Sequence, residues 1–314
     1  MSQFKKGKFS RNLAATAILA PTMVIVGCSS SSGSSSDNGG DGTSEGFAYD
    51  GYLNNAVVCV DENLNKACDP LEPSTTTGAG GRFTLDTLTD VQLQLPLVLQ
   101  ATSNTTDEDD NASVDTNLKF LAPAGSRAVS GFSTIVQAKI EKALAGGSTA
   151  SLENLKASAA AELANELGVS GVDLTAFDPI AAKSDESASE DTQTTAAKLH
   201  LVNQVLSQQI ATLVPQASAN ANGNETAAFG ALVNKLNAAN VKQAVDTDTA
   251  GLALADIKTA LAEAIVSETQ PSVPTTQEIE EQAAEDEIVQ EIIEEEANEE
   301  PTGATGATGG SGTS

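Results

Sequence analysis

The chain has 314 residues, with 43 acidic against 16 basic, a formal net charge of −27, 3% aromatic residues and no tryptophan. A surface this acidic repels phosphate backbones, which argues against a nucleic-acid partner, and it favours solubility and attraction of cations. So few aromatics leave any core to Leu, Val, Ile and Ala, and leave a glycan-cleaving cleft without its usual stacking platforms.

Residues 1–27 place Lys5, Lys6, Lys8 and Arg11 ahead of an apolar run interrupted by Pro21. The run is too short for a comfortable bilayer span and fits an export signal better than a transmembrane helix. It ends in Ile25-Val26-Gly27-Cys28, which resembles the bacterial lipobox. That resemblance implies acylation of Cys28, palmitate included, and a lipid-anchored chain. Ser29 in place of Asp implies, by the same resemblance, sorting to the outer membrane. Three acyl chains hold firmly where one binds only marginally. The Ser/Gly-rich stretch 28–44 reads as a flexible tether.

The stretch VDENLNKACDPLE, residues 60–72, carries side-chain oxygens at a set rhythm. With Asp61 as position 1, oxygens stand at 1, 3, 5, 9 and 12: Asp61, Asn63, Asn65, Asp69 and Glu72. The backbone carbonyl of Ala67 stands at 7. This is the spacing of a calcium loop, in which a tight coil turns alternate residues inward to supply six to eight hard oxygen ligands. Position 6 departs from the pattern. Lys66 stands where such loops place Gly, in a turn that resists other residues, and it adds a positive charge. Affinity is therefore expected in the weak range, roughly 10⁻⁴–10⁻³ M. An Asn/Asp-rich turn holding no ion, or one holding Mg²⁺, is the competing reading. Cys59 lies just before this segment and Cys68 lies inside it. With Cys28 acylated they form an even pair, expected to join as a disulfide in an oxidising compartment.

Residues 51–85, GYLNNAVVCVDENLNKACDPLEPSTTTGAGGRFTL, resemble the B-type repeats of serine-aspartate adhesins. They also resemble the carboxypeptidase-regulatory-like and transthyretin-like β domains of bacterial surface lipoproteins. The matching residues are Asp61, Asn63, Asn65, Asp69, Glu72-Pro73, Thr75, Thr77, Gly81 and Phe83. The resemblance implies a small β-sandwich over 45–127, calcium in the loop and a stalk or adhesion role. Periodicity independently predicts strands over Ala56–Val60, Arg82–Leu88 and Val91–Leu99, with a last strand over Asn117–Leu121. Pro96 on the third favours an edge. Residues 105–113 read as an acidic loop in which Asp107, Glu108, Asp109 and Asp110 are expected to be solvated, with a second cation site as the competing reading.

From about residue 130 the apolar period becomes helical. Val136, Ile140 and Leu144 form one stripe, ended by Gly146-Gly147; Leu152, Leu155, Ala159, Leu163 and Leu167 form a second, between Ser151 and Gly168. Leu199, Val202, Leu206, Ile210 and Leu213 form a third, expected to stop at Pro215. Phe229, Leu232, Val233 and Leu236 form a fourth, and Leu254, Ile257, Leu261 and Ile265 a fifth. Mutual burial of these faces predicts an Ala/Leu-rich helical bundle over 130–268, so the fold class is α+β with disordered termini. Ser133-Thr134-Ile135-Val136, ELGVSGVDLTAFDPI (166–180) and AAKLHLVNQVLSQQIATLV (196–214) resemble a helical segment found beside β repeats in large bacterial surface proteins, which implies a surface module without catalytic residues.

His200, the only histidine, is expected as a half-buried packing residue. No nucleophile elbow, phosphate-binding loop or paired zinc-histidine motif occurs, so no enzyme is expected. Residues 269–314 read as an acidic and Gly-rich tail. Its 276–300 portion holds 12 acids and no bases. Ile279, Ala283, Val289 and Ile293 could line a helix there, but glutamate repulsion favours a solvated arm. The expectation is a non-catalytic, outer-membrane-anchored surface lipoprotein, stabilised by calcium and serving adhesion or structure. The alternative is a periplasm-facing accessory protein that binds glycan or envelope-assembly partners.

Overall fold

Short β-leaning runs separated by turn residues build three small sheets, and amphipathic helices follow them. The computed structural model describes residues 42–260 and 262–298, so the expected signal, Cys28 and most of the tether lie outside the described residues. The strands are β1 (Gly42–Ala48), β2 (Leu53–Asn54), β3 (Val57–Val60), β4 (Ser74–Thr76), β5 (Arg82–Leu88), β6 (Leu97–Gln100), β7 (Thr106–Asp107), β8 (Lys119–Ala122) and β9 (Ala128–Val129). One sheet has the order β5-β1-β9, a second β4-β3-β6-β8, and β2 pairs with β7 alone. The four-stranded sheet is antiparallel throughout, whereas β1 runs antiparallel to β5 and parallel to β9. β5 alternates as expected, with Phe83 and Leu85 buried between exposed neighbours. The register then shifts before Leu88, where Thr87 takes a φ of 61°.

Two strand expectations need correction. The segment 91–99 is not one strand: residues 92–94 form a 3-10 turn, Val91 is exposed, and β6 begins only at Leu97. The Thr89 and Gln92 side chains close that turn on each other's backbone N–H, which competes with the ladder. Residues 42–44, expected in the tether, belong to β1, which pairs with β5 from Gly42↔Leu88.

The helices are α1 (Gly131–Ala145), α2 (Leu152–Glu166), α3 (Pro179–Ser184), α4 (Glu190–Ala219), α5 (Glu225–Val233), α6 (Ala238–Asp248), α7 (Leu254–Ile257), α8 (Glu263–Thr269) and α9 (Thr276–Asn298). α1 starts with a capping box between Ser130 and Ser133. The Ser133 hydroxyl also donates to the Leu121 carbonyl, and the Leu121 N–H donates to Thr134 Oγ1, which stitches α1 to β8. Ser151 caps α2 as its sequence position suggested. α4 does not stop at Pro215 but continues to Ala219. The fifth stripe is broken between α7 and α8, and its Leu261 lies outside the described residues.

The fold class is therefore mixed α+β, with the sheets in the N-terminal half and the helices after them. One continuous core crosses the expected boundary at 127–130. It joins Val58, Leu99 and Phe120 of the sheets to Phe132 and Val136 of α1, Leu199 and Val202 of α4, and Val289 and Ile293 of α9. The described residues fall in one compact unit. The 276–298 segment is accordingly not a solvated arm. It is α9, packed on α1 and α5, with Ile279, Val289 and Ile293 buried. Among the described residues no helix is long and apolar enough to cross a membrane.

Candidate functional site

The loop 61–72 is the connection between β3 and β4. Its two ends are fixed by the ladder: the Val60 N–H donates to the Pro73 carbonyl, and the Asp61 N–H to the Pro96 carbonyl. A disulfide joins Cys68 in the loop to Cys59 of β3. The predicted oxygen ligands are drawn into one hydrogen-bonded coil. Asp61 accepts from the backbone N–H of Asn65 through Oδ1 (3.0 Å) and of Lys66 through Oδ2 (2.9 Å). The Asn63 and Asn65 amides both donate to Asp69 Oδ2, at 2.7 and 2.8 Å. Asn65 Oδ1 accepts from the Ala67 N–H. Glu72 spans the coil, accepting from Glu62 N–H and Asp69 N–H. The Ala67 carbonyl faces the disulfide, 4.0 Å from the Cys59 sulfur.

Lys66 behaves differently from its sequence expectation. It takes the left-handed conformation that the position requires, with φ 59°. Its side chain leaves the coil and is buried, with Nζ 2.9 Å from Asp286 of α9 and 3.4 Å from Glu141 of α1. Burial alone would lower its pKa, but Glu141 and Asp286 hold the ammonium above its ordinary value. The loop is held from outside at two further points: Thr226 of α5 donates to the Asn65 carbonyl, and Gln290 of α9 to the Asn63 carbonyl.

Asp61 is 1% exposed. Burial pushes its carboxyl up to about 7, the Glu72 charge adds to the rise, and the Lys66 N–H and ammonium oppose it. Glu72 is likewise raised, first by burial. Two carboxylates that resist ionisation side by side suit a divalent cation. The amide ends present a less direct fit. Asn63 and Asn65 now offer N–H groups to Asp69, and each would have to turn its oxygen inward to ligate. Among the described residues no three His, Cys, Asp or Glu side chains are grouped so that they could hold a metal ion. A site here would therefore depend on the two amides and the Ala67 carbonyl alongside the carboxylates.

A second region joins the acidic loop to His200, a juxtaposition that the sequence does not announce. The loop 105–113 is not merely solvated: Asp107 accepts from Gly51 N–H at 2.9 Å and from Asp109 N–H at 2.8 Å, and Glu108 accepts from Gly80 N–H. A Cβ at Gly51 would lie 1.9 Å from Asp107 Oδ1, so a side chain there would push that carboxylate out of its place. Beside this loop a cavity of about 570 Å³ opens between it, α4 and residues 258–260, 262 and 263. His200 lies in its wall and is 3% exposed, buried more deeply than expected. Its Nε2 lies 2.6 Å from the Asp50 carbonyl and 3.3 Å from Asp109 Oδ2, and its Nδ1 lies 2.7 Å from Lys183 Nζ. Burial and then the Lys183 charge push the imidazole down to about 4, so the ring is neutral. Nδ1 accepts from Lys183, and Nε2–H donates to Asp50. No periodicity could announce this arrangement, which joins residues 50, 109, 183 and 200.

Comparison with protein-family models, with curated proteins and with solved structures finds no match to this chain.

Proposed function

We propose that the chain is a non-catalytic lipoprotein, anchored through acylated Cys28 in the outer membrane, whose folded part is a calcium-stabilised adhesion or structural module. In this reading the sheets are a transthyretin-like β-sandwich of the kind found in bacterial surface proteins. A protein or glycan is the partner to be held. The observation that carries the reading is the coil 61–72. Its oxygen spacing, its paired high-pKa carboxylates Asp61 and Glu72, its disulfide and its anchors on α1, α5 and α9 suit a loop whose rigidity matters. A bound calcium ion would neutralise those carboxylates and lock the loop. Asp61, Asn63, Asn65, Ala67, Asp69 and Glu72 would hold it.

The test is thermal unfolding of the chain carrying Cys28→Ala. With a dissociation constant of roughly 10⁻⁴–10⁻³ M, calcium at about 10 mM adds about 1.4–2.7 kcal/mol to stability and raises Tm by several degrees. Asp61→Ala with Glu72→Ala should erase the rise. An unchanged melting curve removes the metal from the account. Labelling of intact cells separates an outward-facing adhesion role from the periplasm-facing binding alternative, which the cavity beside His200 favours.

A further inference from the structure

We infer that the cavity walled by Asp50, Asp109, Lys183, His200 and Glu263 binds a small organic ligand carrying a primary ammonium group, with the Asp50 carboxylate as its counter-ion. The inference is independent of the calcium loop. The volume of about 570 Å³ lies within the range of small-molecule sites. Its wall sets exposed acids, Asp109, Asp110, Asp115 and Glu263, around the less exposed Asp50 and Asp107 and the buried His200. The buried, neutral His200 grips the main chain of Asp50 through Nε2 and is itself fixed by Lys183.

The Asp50 side chain is left incomplete by that arrangement. Its Oδ1 is buried and has no hydrogen-bond partner. A buried acceptor without a donor is expensive, and a donor brought by a ligand removes the penalty. Burial first, and then the Asp107 charge, raise the Asp50 carboxyl well above the usual carboxylate range. A hydrogen bond from Ser207 already opposes that rise, and a cation beside the carboxyl would oppose it further by favouring the ionised form.

The charge of the wall selects the ligand class. Asp50, Asp107, Asp109, Asp110, Asp115 and Glu263 outnumber Lys183 and Lys258. The two lysines are already engaged, Lys183 with His200 and Asp109, and Lys258 with Gln193. An anion would meet the carboxylate excess. A bare metal ion is also a poor fit. The Asp107 oxygens are committed to backbone N–H groups, and among the described residues no three acidic, His or Cys side chains are grouped to hold one. An ammonium group, with three donors and a single charge, fits a wall that offers one free buried oxygen and several partial acceptors.

Isothermal titration of the full chain with 1,4-diaminobutane, with lysine and with calcium chloride tests the inference. At least one of the two amines is expected to bind. Binding of the diamine alone assigns a plain amine as the ligand, and binding of lysine assigns an amphoteric one. Asp50→Asn, which keeps the shape and removes the charge, should weaken the amine about tenfold or more. Ala211→Phe, at a half-buried position of the same wall, should block binding by filling the space while the melting temperature stays near that of the parent. If Asp50→Asn does not fold, Ala211→Phe decides alone. The inference is overturned if neither amine binds, if binding survives both substitutions, or if calcium alone binds in a manner that Asp50→Asn abolishes.

Discussion

Lys66 Nζ and Asp286 Oδ1 lie 2.9 Å apart although 220 residues separate them in the chain. Glu141 completes the group at 3.4 Å, and the Lys66 and Asp286 side chains are only 5% and 13% exposed. A buried cation between two carboxylates from two helices clamps the β3–β4 loop. Removing the cation strands both acids. Lys66→Met is expected to destabilise by about 3–5 kcal/mol, and the triple variant Lys66→Met, Glu141→Gln, Asp286→Asn to recover most of the loss. Denaturant titration measures both. A near-neutral Lys66→Met would mean that the clamp contributes nothing.

Asp61 sets a pH dependence with a definite sign. Its folded pKa is about 7, against 3.8 for an unperturbed Asp. The folded state thus holds a proton that the unfolded state releases between those values. Stability from this group is present below about pH 4 and lost as pH rises toward 7. The upper bound is about 4 kcal/mol, at about 1.4 kcal/mol per pH unit. Without calcium, Asp61→Asn should flatten the slope of stability between pH 4 and 7 relative to the parent. Equal slopes in the two proteins would show that Asp61 is not desolvated in solution.

The Cys59–Cys68 disulfide closes a short ring, with a sequence separation of 9. In the chain-entropy account such a ring contributes roughly 2–3 kcal/mol. Replacing both cysteines with alanine should lower the unfolding free energy by that amount, read by denaturant titration under non-reducing conditions. A loss well under 1 kcal/mol would show that Lys66 and the ladder ends already order the loop without the sulfur bridge.

The packing of α9 is tested by two isoleucines five residues apart. Ile293 is 2% exposed and Ile288 is 46% exposed. Ile293→Ala should cost about 2–4 kcal/mol, whereas Ile288→Ala should stay within about 0.5 kcal/mol. Equal, small effects would restore the solvated-arm reading.

Much of the secondary structure was legible because it rests on local patterning. The alternation in 82–88 and the Ser151–Gly168 brackets of α2 needed no partner to be read. α9 was misread because its Glu run repels itself when considered alone. In the folded chain Lys66 and Lys235 from other elements sit against Asp286 and Glu278, the latter pair at 2.7 Å. Pro215 reads as a stop on its own, yet α4 continues beyond it in a helix that packs against α3, α5 and α6. The spacing of Asp61 to Glu72 was legible, but the direction of Lys66 was not, since nothing near it in sequence names Glu141 or Asp286. The cavity beside His200 was invisible for the same reason: its wall is assembled by tertiary folding.

The clamp on Lys66 also governs when the molecule can finish folding. Its partner Asp286 lies 220 residues further on, so a growing polypeptide carries an unsecured β3–β4 loop until α9 is made. Contacts that span so much sequence form late, because a long loop must close before they contribute. The β3–β4 loop should therefore be among the last parts of the described fold to become ordered, after α9 has docked on α1 and α5.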